Sequence, residues 1–381
     1  MTFIYALSLK MTGPLLPLII DDLQLRLPQA GLLVSYQQLG GLIAIVLTSL
    51  VADRYRKPLL IAASFTVYAG GLLLTGAAPD YRLLALAFFA VGASSRIFDA
   101  VANADTAEQN PSRSARSLGY LHTWFAAGAL CGPLYVGTLI ELAQPWRRAF
   151  TYLSLAALAA VVIYVAKRRA GASRTEQAGA AERSSGVIEV VTAPRVWCAS
   201  LVMLGYIVHQ AGVSVWLPMY LRTSLSAGLR LSATSVSVYW VGILIGRILS
   251  ARFSHRVSLK NQLIWGQLLG ALLMLWAFLL RSPLLLTAAG FVAGTAGGGV
   301  VPNLITLNCS WFPANTATAS SVAFLMAATA HMVSPFLIAT VAERYGFEIG
   351  FLIPILALAV AAAAAWALAE PGPRRKIRPT A

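Results

Sequence analysis

Apolar residues along this chain neither alternate nor recur as narrow stripes; they run together in blocks of about 20, parted by short polar breaks. A block of that length crosses about 30 Å of hydrocarbon as a helix. The pattern predicts twelve helices, over 2–21, 28–51, 58–77, 82–107, 117–142, 148–166, 196–221, 232–253, 261–280, 284–308, 316–342 and 348–369. One longer polar stretch, Lys167 to Gly186, is rich in Ala, Gly, Ser and charge and reads as a linker between two sets of six. The expected organisation is an N-terminal six-helix bundle over 1–166, a cytoplasmic linker over 167–195, a C-terminal six-helix bundle over 196–370 and a basic tail over 371–381. The first run holds Lys10 inside its apolar stretch and no small-residue cleavage site follows, so it is expected to stay as the first span.

Composition agrees with a lipid environment: 58% of 381 residues are hydrophobic, 11% are charged and the mean hydropathy is +0.72. A net charge of +15 raises nucleic acid as a partner, but the placement of the charge removes it. With both termini inside, 18 of the 29 Lys and Arg fall in inner loops and the tail and 8 in outer loops, while Lys10, Arg96 and Arg247 lie within spans. That bias is the positive-inside pattern, and it predicts a multi-pass protein of the cell inner membrane with cytoplasmic termini, its basic loops facing anionic lipid headgroups. Cys131, Cys198 and Cys309 lie in or beside spans and suggest no disulfide framework.

Equivalent residues recur about 200 positions apart. "LLP" at Leu15 to Pro17 meets "WLP" at Trp216 to Pro218, and Val91-Gly92 meets Ala293-Gly294. "GPLYVGTLIE", ending at Glu141, meets "SPFLIATVAE", ending at Glu343. Each pair is offset by 201 or 202, which points to parallel six-helix repeats enclosing a path at their interface. The expected fold class is an all-α membrane protein of twelve transmembrane helices in two such repeats.

Over nearly its whole length the chain resembles the major facilitator superfamily. That family's loop between helices 2 and 3 normally reads Gly-x-Leu-Ala-Asp-Arg-x-Gly-Arg-Arg/Lys; here "SLVADRYRKP" keeps Asp53 and Arg54 and lacks both glycines. The second copy, "LSARFSHR", keeps Arg252 and has Ala251 in the acidic place. The resemblance implies a cytoplasmic gate, with Asp53, Arg54, Arg247 and Arg252 as its candidates; a purely topogenic role for Arg54, Arg56 and Lys57 competes with it. More narrowly, Gly92, Asp99 and Asn103 in the fourth span, and His122, Phe125, Gly128, Ala129, Gly132 and Pro133 in the fifth, are similar to the fucose:proton symporter branch. Symporters of that branch can also carry an acid in helix 1 where this chain has Gly13.

Gly92, Arg96, Asp99 and Asn103 follow a spacing of i, i+4, i+7 and i+11, so they share one helix stripe. Charge at the bilayer centre costs about 2.5 to 3.5 kcal/mol, and the stripe therefore turns toward a wet cavity or a partner. At 1.5 Å per residue, Asp99 and Lys10 stand about 12 Å, and His122 about 8 Å, from the cytoplasmic ends of their spans, so the three are expected in one layer. Three readings follow. Arg96 and Asp99 neutralise each other for structural reasons alone; or Asp99 accepts a proton while His122 contacts the solute; or Lys10, Arg96 and Arg247 form a cationic pocket for an anion.

Asn103, Trp124, His209 and Gln210 complete the candidate solute contacts. Trp216 and Trp240 read as packing or interface aromatics, His331 as an interhelical histidine, and the run Gly294 to Gly299 before Asn303 and Asn308 as a site of close packing or bending. No lysine follows a glycine, and neither H-E-x-x-H nor G-x-S-x-G occurs, so no P-loop and no enzyme is expected, and no cofactor or metal. The expectation is a monomeric secondary active transporter moving a small polar solute, sugar-like, by alternating access with protons coupled through Asp99. The alternatives are a carrier of a small organic anion using Lys10, Arg96 and Arg247, and a membrane scaffold of transporter fold that moves nothing.

Overall fold

The computed structural model describes residues 1–51, 55–109, 114–170, 187–254, 256–312 and 315–368. Every regular element among them is an α-helix: α1 Thr2–Leu23, α2 Leu27–Val51, α3 Lys57–Ala77, α4 Tyr81–Gln109, α5 Ser114–Glu141, α6 Trp146–Ala170, α7 Val187–Thr192, α8 Pro194–Thr223, α9 Leu229–Phe253, α10 Leu259–Leu279, α11 Pro283–Gly297, α12 Val300–Trp311, α13 Thr316–Tyr345 and α14 Phe347–Trp366. Twelve spans result, with α11 and α12 sharing one and the short α7 crossing nothing. Asp53, Arg54, most of the expected linker and the basic tail lie outside the described residues.

Two details differ from the sequence expectation. The tenth run is not one helix; it breaks at Gly298 and Gly299, where glycine's low helix propensity and a close neighbour act together. The sixth span runs on to Ala170 through the basic cluster, because Arg168 Nη2 pairs with Asp105 Oδ2 of α4 at 2.8 Å and its guanidinium lies over the Tyr164 ring. Short connections are set locally. Asp80 Oδ1 accepts from Leu83 N at the start of α4, and Ser258 and Ser282 cap α10 and α11 in the same way. Gly346 alone joins α13 to α14, at φ 97°, a conformation that favours glycine.

The repeat seen in the sequence is a repeat of packing. α4 lies against α2 and α3 as α11 lies against α9 and α10; α5 lies against α1 as α13 lies against α8. Close backbone approaches recur with it. A β-carbon on Gly40 would stand 2.3 Å from the Phe89 carbonyl oxygen, and one on Gly242 would stand 2.3 Å from that of Phe291, 202 residues on in both helices. Such crossings bring backbones together where lipid supplies no hydrophobic drive. Each half has an aromatic core, Tyr5, Phe65, Tyr68 and Phe98 in the first and Tyr206, Tyr220, Phe278 and Phe351 in the second. Leu86, Val162 and Leu279 stay mostly exposed, as lipid-facing side chains do. The halves meet along two repeat-related seams, α2 with α13 and α9 with α5, and along α1 with α8.

Candidate functional site

The face where α1 begins and α14 ends is called the terminal face, and the opposite one the far face. At the far face the halves are tied by ion pairs: Arg26 with Glu343 at 2.8 Å, Arg230 with Glu141 at 3.0 Å and Arg222 with Asp21 at 3.1 Å. Glu141, the last residue of α5, and Glu343, in the last turn of α13, are repeat-related, and each takes an arginine from the other half. One layer deeper, Ser35 Oγ donates to the Met332 carbonyl at 2.5 Å, and Ser237 Oγ donates to that of Leu130 at 3.0 Å. Donors and acceptors are again 202 apart. Below these, α1 and α8 cross so closely at Gly13 that an added β-carbon would lie 2.0 Å from the Ser214 carbonyl oxygen. An acid at position 13 has no room here, which accounts for the departure from the symporter pattern.

The polar layer sits next to that crossing, toward the terminal face. Lys10 of α1 holds its Nζ 4.1 Å from the centre of the Trp240 ring of α9, a cation–π contact between the halves, and Trp240 Nε1 donates to Ser214 Oγ at 3.3 Å. Lys10 is in electrostatic range of Arg96 and Arg247. Arg96 Nη1 stands 3.9 Å from Asp99 Oδ2, a loose pair, and its Nη2 reaches Gln38 Oε1 at 3.5 Å. Gly41 leaves the passage for that side chain: a β-carbon there would meet Arg96 Cγ at 2.6 Å. Asn103 Nδ2 donates to Asp99 Oδ1 at 3.1 Å and to the Asp99 carbonyl at 2.7 Å. Asp99 also feels His122, and His331 of α13 feels both Lys10 and Arg96. The structure thus brings together Lys10, Arg96, Asp99, Asn103, His122 and Arg247.

Other expected contacts lie elsewhere. His209 is 0% exposed inside the C-terminal half, its Nδ1 donating to the Pro354 carbonyl at 2.9 Å. Gln210 is buried beside it and donates to Tyr206 Oη at 3.3 Å. Trp124 is 60% exposed and packs edge-on against Phe3, at the rim of α5. Arg252 is exposed at the end of α9. The aromatic residue at the centre is Trp240, and a signal for it was in the sequence: its repeat partner, 202 residues back, is Gln38, the residue that holds Arg96. Asn303 joins Gln262 and Ser250 in a network linking α12, α10 and α9, which is packing within one half. Between α5 and α9 a cleft runs beside the polar layer, lined by Phe125, Leu130, Trp240, Ile243, Leu244 and, at its charged end, Arg247.

Comparison with known proteins follows the same lines. The chain is 22% identical over 305 residues to the glucose/mannose transporter GlcP of Bacillus subtilis, covering 78% of this chain and 75% of that one. It is 26% identical over 393 residues to the multidrug resistance protein MdtG of Serratia proteamaculans, covering 98% and 93%. In solved structures it overlays a bacterial homolog of the human lysosomal transporter Spinster with a TM-score of 0.79 at 16% identity, covering 96% of this chain and 94% of that one. The family model described as Major Facilitator Superfamily matches residues 1–283 and 233–381, so that fold, repeat and sequence agree: the chain belongs to the major facilitator superfamily and is a multi-pass membrane transporter of that family.

Proposed function

We propose that this transporter carries a small polar solute by alternating access, coupled to protons through Asp99, with the terminal face cytoplasmic in the cell inner membrane. The observation that supports it is the meeting of a carboxylate and three cations from both halves directly beneath a set of cross-half contacts that shuts the far face. A path closed at one face and polar at its middle is what a rocking pair of six-helix repeats presents in one of its two states. Asp99, held by Asn103 and loosely by Arg96, is free to exchange a proton with the gap. In this reading Arg252, Asp53 and Arg54 serve the terminal-face gate, and His122 and Asn103 contact the solute.

Two solute classes are supported by different observations. The relative named for glucose and mannose transport favours a sugar-like solute. The excess of positive charge in the gap favours an organic anion. Purified protein in proteoliposomes tests the reading as a whole: solute added on one side should acidify the receiving compartment, and a protonophore should abolish uphill accumulation. A folded preparation that moves no member of a broad solute panel favours the scaffold reading. Orientation is tested separately. A reporter fused after Ser184 or at Ala381 should give a cytoplasmic signal, and a periplasmic signal from either would reverse the assignment.

A further inference from the structure

We infer that the N-terminal bundle binds one ordered water molecule behind Lys10, and that this water fastens the back of α1 to α2 and α3. A small cavity with room for about one water lies there, lined by Ser8 and Thr12 of α1, Gln37 of α2, Thr75 of α3, Phe88 of α4 and Phe150 of α6. These six residues are 1% to 6% exposed, so the cavity is inside the bundle. Ser8 and Thr12 are one helical turn apart, and Lys10 stands between them in sequence, about half a turn round the helix. α1 therefore shows its cation to the gap and its hydroxyls to the cavity.

The hydrogen-bonding groups of the lining are those that a water completes. Ser8 Oγ donates to the Tyr5 carbonyl at 2.9 Å, Thr12 Oγ1 to the Ser8 carbonyl at 3.3 Å and Thr75 Oγ1 to the Gly71 carbonyl at 2.8 Å, so all three hydroxyl protons are spent and lone pairs remain. Tyr68 Oη takes up one of those on Ser8. Gln37 makes no side-chain hydrogen bond among the described residues, and its amide can donate. A water donates two hydrogen bonds and accepts others, which matches three acceptors and one amide. A sodium ion would meet the same oxygens, but none of the residues lining the cavity is a carboxylate, and an ion without a counter-charge is far costlier to bury than a neutral molecule. At the repeat-related positions the second half has His209, 201 on from Ser8, and Tyr239, 202 on from Gln37, whose rings touch edge to face with centroids 5.7 Å apart. There α8 and α9 are joined ring to ring; in the first half the smaller residues leave the space that the water takes.

Hydroxyl-radical labelling of the purified full chain tests this, because X-ray radiolysis splits bound water and marks the side chains that touch it. Phe88 and Phe150 should be oxidised about tenfold faster than Phe65 and Phe351, which are 0% exposed within the aromatic cores. When heavy-oxygen water is mixed in shortly before irradiation, the heavy isotope should reach Phe88 and Phe150 later than it reaches the exposed Tyr345. Thr75→Val keeps the shape and removes the lone pairs, and should slow labelling of both phenylalanines about fivefold; Thr75→Ser keeps the hydroxyl and should keep the labelling. Oxidation of Phe88 and Phe150 no faster than that of Phe65, entry of heavy oxygen as fast as at Tyr345, or unchanged labelling in folded Thr75→Val protein would overturn the inference. So would a melting temperature raised by sodium chloride over choline chloride in the native chain and not in Thr75→Val, which would assign the cavity to a cation.

Discussion

Asp99→Asn should abolish solute accumulation driven by a pH gradient and leave solute exchange at equal pH near its normal rate. One proton per solute moved across one pH unit sustains about a tenfold gradient, so the accumulation ratio should fall from about ten to one. What bears on the carboxylate's protonation is its burial first, then Arg96 on its own helix and His122 on α5, with Asn103 donating to it. Asparagine copies the shape and fixes the neutral form. Exchange survives because it needs no net proton movement, only a site that can face both sides. A purely structural role predicts something else: Arg96 would lose its partner and the protein its fold. The geometry argues against that, since the Arg96–Asp99 pair is long at 3.9 Å and Gln38 remains beside the guanidinium. Yield and monodispersity serve as controls. Normal pH-driven accumulation by well-folded Asp99→Asn protein would falsify the coupling role.

A bulky residue at Gly13 should lock the transporter out of the state described here without unfolding it. The clash in Gly13→Leu is with the Ser214 backbone, on the opposite half, so each bundle keeps its own packing. Overpacking costs of up to about 3 kcal/mol would lower the far-closed population by up to about a hundredfold, and exchange should fall accordingly. Ser35→Cys reports the change, because Ser35 is buried at the α2–α13 seam with the far face shut, and parting of that seam would expose it. In Gly13→Leu background it should become reactive to an impermeant thiol reagent. Gly92→Leu is the contrast: its β-carbon would lie 1.8 Å from the Gln37 carbonyl oxygen of the same half, and that variant should lose yield instead. Normal exchange together with a protected Ser35→Cys in Gly13→Leu would show that the α1–α8 crossing is not part of the cycle.

The spans were legible because lipid demands long apolar runs, and every expected boundary lies within four residues of the observed one. The repeat was legible because Gly92 and Gly294, Pro133 and Pro335, and Glu141 and Glu343 keep a constant spacing. Which face of a span looks into the gap was harder to read. Lipid-facing and core-facing positions are equally apolar, so hydrophobic pattern does not separate Trp124 at the rim from Trp240 at the centre. Only charge breaks that tie, which is why the stripe of Arg96, Asp99 and Asn103 was found and the burial of His209 was not. Glu141 and Glu343 were visible as a repeated pair, but their partners were not: Arg230 sits in the first turn of α9 and Arg26 in the connection between α1 and α2, 317 residues from Glu343, and nothing periodic marks either contact.

The break between α11 and α12 makes the two halves mechanically unequal. In the first half α4 runs as one rod through Arg96; its repeat partner is interrupted at Gly298, which stands 202 residues on from that arginine. A β-carbon on Gly298 would reach to 2.8 Å from the Arg247 backbone nitrogen, so the interruption rests directly on the turn of α9 that carries the other half's cation. An uninterrupted helix passes displacement along its length, whereas one cut by adjacent glycines yields locally. The N-terminal half is therefore the stiff lever of the pair, and the C-terminal half carries the compliant joint beside Arg247.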